Sequence, residues 1–199
     1  MRRRAPRPGF TLIELLIVLA IVSLLSLGVP RVMTWSSGLE VRLAAWELVS
    51  TLRLARASAI RLGNNVAVKF RTAPDGRVSF TLYEDGDGDG VRNRDIESGV
   101  DPRVGLPREL RHFGRHAWLG FPRGVRPRDP GDPRRRLGRL RDPVRFNRSD
   151  LASFGPLGGS TPGSLYLTDG RHHLLVVRVY GGTGKVRILR YDILEERWR

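Results

Sequence analysis

From Phe10 to Val29 the chain is almost wholly apolar, with Glu14 as the only charge in the run. A helix of that length spans roughly 30 Å, the thickness of one hydrocarbon core. Met1 to Gly9 is basic (Arg2, Arg3, Arg4, Arg7) and breaks at Pro8-Gly9. Pro30 lacks an amide hydrogen and is expected to kink or interrupt the helix near Gly28. Beyond Gly38, Leu39, Leu43 and Trp46, then Leu48, Leu52, Ala55, Ala59 and Leu62, predict one apolar helical stripe. Glu40, Arg42, Glu47, Arg53 and Arg61 lie mostly off it, and Gly63-Asn64-Asn65 ends it. Thr11 to Leu62 would form a rod of roughly 78 Å.

After residue 63 the period changes to two. Val66, Val68 and Phe70 alternate inward, as do Val78, Phe80 and Leu82, and "APDG" at Ala73–Gly76 predicts the turn of a hairpin. Further strands are predicted at Ala117–Phe121, Val144–Phe146, Ser164–Thr168, Leu174–Tyr180 and Val186–Tyr191, with "YGGTGK" joining the last two. The fold class is therefore α+β: a long N-terminal helix, its first half membrane-spanning, packed on an antiparallel β-sheet domain.

Glu14 is the anomaly. An acid at the centre of a membrane helix is unfavourable by about 3 kcal/mol even on insertion-based scales. An ordinary secretory signal fits poorly, because the apolar run is long and no A-x-A-like site follows it. The leader arginines should stay cytoplasmic and send the rest of the chain outward.

"GFTLIELLIVLAIV" resembles the N-terminal signature of type IV pilins and type II secretion pseudopilins. The resemblance implies that a prepilin peptidase cuts between Gly9 and Phe10 and that Phe10 is then N-methylated. Glu14 becomes the fifth mature residue and neutralises the Phe10 amine of a neighbouring subunit. Two unfavourable buried charges become a pair, so the glutamate favours assembly. Inside the chain, "LRLARASAIRLGNNVAVKF", "DGRVSFTLYEDGDGDGVRN", "FGPLGGSTPGSLYLTDG" and "GTGKVRI" are similar to the minor pseudopilin H and FimT-type group. The implied organisation is a leader (1–9), a transmembrane and filament-core helix (10–30), its amphipathic continuation (31–62), and a pilin-like β domain (63–199). That domain carries an acidic loop (84–97) and an arginine-rich insertion (101–148).

Net charge is +15, and lysine occurs only at Lys69 and Lys185. Such a surplus suits nucleic acid, anionic lipid or an acidic protein as partner. The chain has no cysteine, which excludes disulfides and thiolate metal sites. Between Arg103 and Arg148 stand 14 arginines and four acids, densest at Arg134, Arg135 and Arg136. This segment would either grip phosphates, with Phe113, Trp118 and Phe121 as stacking surfaces, or serve as a flexible, solubilising insertion. In the last hairpin, Gly184-Lys185-Val186-Arg187, followed by Arg190, resembles the Gly-Arg-x-Arg motif through which some FimT-type pilins bind DNA, with lysine replacing the first arginine.

Asp85, Asp87 and Asp89 alternate before Gly90, a spacing that suits Ca²⁺; Asn93 and Asp95 could add ligands, as could the Val91 carbonyl. The usual bidentate glutamate at the twelfth position is replaced by Ile96, so a weaker calcium loop stands beside a solvated acidic turn. Ca²⁺ is the one candidate cofactor. His112, His116, His172 and His173 read as surface residues, and no nucleophile or phosphate-cradling motif occurs, so no enzyme is expected.

The resulting expectation is a minor structural subunit of a type II secretion pseudopilus or type IV pilus. It would start in the bacterial inner membrane as a single-pass protein, with its C-terminal domain in the periplasm or outside. Partners would be prepilin peptidase, other pilin or pseudopilin subunits and the membrane. The alternatives are a DNA receptor for uptake and an uncleaved, membrane-anchored calcium module.

Overall fold

The computed structural model describes residues 10–74, 77–110, 117–147 and 149–199; the side chains of 25–36 are outside that description. The leader, including Gly9, lies outside the described residues, as do His112, Phe113 and His116. The chain divides into two compact units, 1–36 and 37–199.

Helix α1 runs Leu12–Leu62 and contributes to both units. Its helical backbone includes Gly28, Val29 and Pro30, so the expected interruption does not occur. Proline removes one backbone donor and its neighbours Gly28, Val29 and Val32 are weak helix formers, so the helical backbone persists here against local preference. In the first unit every apolar side chain from Leu12 to Leu24 is exposed. Among the described residues no helix is long and apolar enough to cross a membrane.

The second unit holds two antiparallel sheets. Strands β1 (Val66–Thr72), β2 (Val78–Glu84), β3 (Arg103–Glu109) and β6 (Leu151–Phe154) form one, in the order β3-β2-β1-β6. Strands β4 (Trp118–Leu119), β7 (Gly163–Thr168), β8 (Leu174–Tyr180), β9 (Lys185–Asp192) and β10 (Arg197–Trp198) form the other, in the order β10-β9-β8-β7-β4. Strand β5 (Val144–Arg145) also pairs with β7. A short helix α2 (Asn93–Ser98) follows the acidic loop. Helix and antiparallel sheets together confirm the α+β, pilin-like class.

The predicted hairpin forms with Phe70 opposite Phe80, and Val66, Val68, Phe70, Val78 and Phe80 are buried as the period-two pattern requires. The last hairpin also forms, with Val186 buried and Ile188 packed against the core. The main core joins α1 to both sheets and includes Phe70 stacked on Phe146 at 5.9 Å between ring centroids.

The helix stripe needs correction. Leu48, Leu52, Ala55 and Ala59 are buried, but Leu39, Leu43, Trp46 and Leu62 are exposed. Val41, Ala44, Ala45 and Val49 occupy the buried face instead. Small side chains let the helix approach the sheets closely, whereas the apolarity of the larger residues drew the pattern one face too far round.

The segment 101–148 is not a flexible insertion over its described residues. It supplies β3, β4 and β5, and Leu137 joins Tyr166, Leu174, Val176 and Tyr191 in a second core on the outer face of the second sheet. Arg145 lies over both Phe121 and Tyr166, 5.6 and 5.4 Å from their centroids. Tyr166 is pushed up to about 12, chiefly by burial.

Candidate functional site

At the start of α1, Thr11 Oγ1 accepts the Glu14 N–H at 3.3 Å, and Glu14 Oε2 accepts the Thr11 N–H at 3.5 Å. This is a capping box, the reciprocal satisfaction of two orphan amides by a Thr-x-x-Glu sequence. The signal was present in "TLIE" and was missed because the glutamate was read only for its charge. Glu14 and the 82 % exposed Phe10 thus sit at one helix end, with Glu14 already turned back toward the chain before it.

The acidic loop is organised by Asp85, which is buried. Its Oδ1 accepts the Gly88 N–H and its Oδ2 those of Gly90 and the Asn65 amide, each at 2.8 Å. Burial opposes the charge, but these bonds outweigh it and hold the carboxyl below the usual range. Gly88 and Gly90 adopt φ of +86° and +91°, where a side chain would be strained. Buried Asp101 accepts the Gly86 and Arg92 N–H groups and ties the end of the excursion to its start. Asp87 and Asp89 are exposed, whereas Asp95 is buried on α2.

The predicted basic residues stand on separate elements. Lys185 and Arg187 lie exposed at the start of β9, and Arg190 is also exposed, roughly 17 Å beyond Lys185 and roughly 10 Å beyond Arg187 at strand rise. Arg134 and Arg135 are exposed, but Arg136 is paired with Glu196 at 2.7 Å. Phe121 is partly buried and packs on Tyr166 at 4.8 Å between ring centroids. The fold adds cations that sequence reading missed. Arg178 stands opposite Arg187 in register and over the Tyr180 ring at 5.1 Å. Arg53 and Arg56 share a cleft with Lys185. Their signal was visible: Arg178 breaks an apolar strand, and Arg53 and Arg56 recur at three on the helix.

His173 is also more than a surface residue. Its Nδ1 lies 2.8 Å from Asp169 Oδ2, which accepts the Ser37 hydroxyl at 3.0 Å, while Asp169 Oδ1 accepts the N–H groups of Arg171, His172 and His173. Burial opposes ionisation of Asp169, yet these donors hold it well below the ordinary carboxylate range. Ser37 donates to Asp169 rather than to His173, so the trio is a structural tie and not a nucleophile–base relay.

A family model described as type II transport protein GspH matches residues 44–183, from within α1 through β8 and short of β9 and β10. The chain belongs to that family. The prokaryotic N-terminal methylation motif matches residues 4–30 of this GspH-family chain, a span that includes Gly9, Phe10 and Glu14. Comparison with curated proteins and with solved structures finds no match. The GspH family is structural rather than enzymatic, and its members are pilin-like.

Proposed function

We propose that this chain is a minor filament subunit, cut between Gly9 and Phe10, N-methylated at Phe10 and assembled with other pilin or pseudopilin subunits into a type II secretion pseudopilus or type IV pilus. The observation that carries this reading is the helix from Leu12 to Leu24, exposed throughout and apolar except for Glu14 and Ser23. Such a surface is unstable in water and needs a bilayer or neighbouring helices. The inner membrane, with the β domain outside the cytoplasm, supplies the first environment and the filament core the second. Transfer between them is favoured when Glu14 of one subunit meets the Phe10 amine of the next. The test is the mass of the N-terminal peptide from membranes of a host with active prepilin peptidase. A peptide starting at methylated Phe10 is expected, and one still starting at Met1 would leave an uncleaved anchor.

A second reading, DNA capture for uptake, is favoured by the exposed Lys185 and Arg187 beside Arg178 and by exposed Arg134 and Arg135. Charge reversal at Lys185 and Arg187 should then weaken duplex binding and lower its salt slope by about one per lost phosphate contact. Unchanged binding would remove those residues from the interface.

A further inference from the structure

Neither reading above accounts for the cleft between the second half of α1 and the turn that joins β8 to β9. It encloses about 620 Å³ and lies wholly within the second unit. Arg53 and Arg56 line it from the helix, and Lys185 lines it from the turn. Like charges on neighbouring turns of a helix repel, and the hairpin adds a third cation to them. No aspartate or glutamate lines the cleft, and among the described residues none of the three cations has an ion pair.

The backbone shapes this cleft around Arg56. Its Nε donates to the Gly158 carbonyl at 3.3 Å, which fixes the guanidinium, while its terminal nitrogens make no hydrogen bond among the described residues. Gly158 and Gly184 hold φ of +83° and +61°. A Cβ on Gly184 would stand 2.4 Å from the Gly158 carbonyl and 2.7 Å from Arg56 Nε. One on Gly158 would stand 3.0 Å from a terminal nitrogen of Arg56. Two left-handed glycines therefore keep the space beside the guanidinium open. Ala57 and the 48 % exposed Ile60 add an apolar wall. Thr183 Oγ1 accepts the Lys185 N–H at 3.3 Å, and its hydroxyl hydrogen remains as a further donor.

We infer that this cleft docks an acidic segment of a partner protein, whose carboxylates meet Arg53, Arg56 and Lys185 while a small aliphatic side chain between them rests on Ala57 and Ile60. The guanidinium fork matches a carboxylate with two parallel hydrogen bonds, and the lysine adds a point charge. Charge complementarity selects an anion, and the walls select its kind. A cleft of this size takes in a few side chains rather than a duplex, whose major groove alone is about 12 Å wide. No aromatic side chain lines it on which the bases of a single strand could stack. The inference does not rest on the filament reading, because an uncleaved chain would carry the same cleft.

The test is a fluorescence-anisotropy titration of the full chain, in non-ionic detergent, into a labelled short peptide of alternating glutamate and alanine. A peptide with glutamine in place of glutamate runs beside it. Saturable binding of the glutamate peptide is expected, about ten-fold or more tighter than that of the glutamine peptide and weakened as salt is raised. Arg53→Glu and Lys185→Glu change exposed side chains, so each should keep the fold by circular dichroism while weakening binding by about ten-fold or more. Arg71→Glu, at an exposed position of β1 outside the cleft, makes the same change of charge and should leave affinity within about two-fold. Equal losses in all three variants would reduce the effect to overall charge and overturn the site. No saturable binding, or parental affinity in both cleft variants, would overturn it as well. A DNA duplex that binds and is weakened by Arg53→Glu, with the peptide left unbound, would give the cleft to phosphate and refute the protein partner.

Discussion

Replacing Asp169 by alanine removes the acceptor on which one end of the second unit is organised. Three backbone amides, the Ser37 hydroxyl and the His173 ring all lose a partner at once. Hydrogen bonds to a charged group contribute about 1.5–3 kcal/mol each, but the amides of the exposed turn can return to water. The loss then rests mainly on the Ser37 and His173 bonds, which gives about 3–6 kcal/mol for Asp169→Ala. Asp169→Asn keeps an oxygen for the three amides and should lose only about 1–2 kcal/mol. The assay is urea unfolding of the full chain in detergent, followed by tryptophan fluorescence, since Trp118 packs beside Gly170 in the same loop. The pH dependence supplies an independent check. Folding lowers the pKa of Asp169, so its stabilisation is fully present above the ordinary carboxylate value of about 3.9 and is lost as pH falls toward the folded value. Parent and Asp169→Ala should therefore differ most at neutral pH and converge as pH falls below about 4. An unchanged midpoint at pH 7, or a difference that persists undiminished in acid, would refute the reasoning.

The revised helix face makes Leu48→Ala and Leu43→Ala a matched pair: the buried site should lose about 2–5 kcal/mol and the exposed one less than about 1, read from urea midpoints. Gly163→Ala would place a Cβ 2.1 Å from the Phe146 ring and 2.6 Å from the Arg145 carbonyl, so it should destabilise by about 1–3 kcal/mol or more in the same assay. Glu14→Ala should leave cleavage intact but reduce recovery of the subunit in sheared filaments. Normal recovery would count against the charge-pair account.

The fold was most legible where one periodicity dominated. Strand β8 matched its predicted bounds because a run with both faces buried needs no alternation to be recognised. Strand β3 was missed because its residues are exposed or half-exposed and it carries a proline, so no inward face writes a pattern. The outer core was missed because its members are scattered: Leu137 and Phe121 come from an arginine-rich stretch, and their partners Tyr166 and Tyr191 are far along the chain. Among site residues, the spacing of Asp85, Asp87 and Asp89 survived as a spatial cluster, since a short loop keeps sequence neighbours together. The basic residues stand on separate elements, a loop before β5 and strand β9, so their joint presentation was not legible in a motif.

The single charge in β8 has one more consequence. Leu174 to Tyr180 reads Leu-Leu-Val-Val-Arg-Val-Tyr, a window of high β-propensity with no proline or glycine. Before the sheets close, that stretch is the kind that stacks with copies of itself into fibrils. Arg178 interrupts it, and in the folded protein its charge rests over Tyr180 on the outer sheet face, without entering the main core. The same arginine therefore acts as a gatekeeper against self-association while the chain is still unfolded.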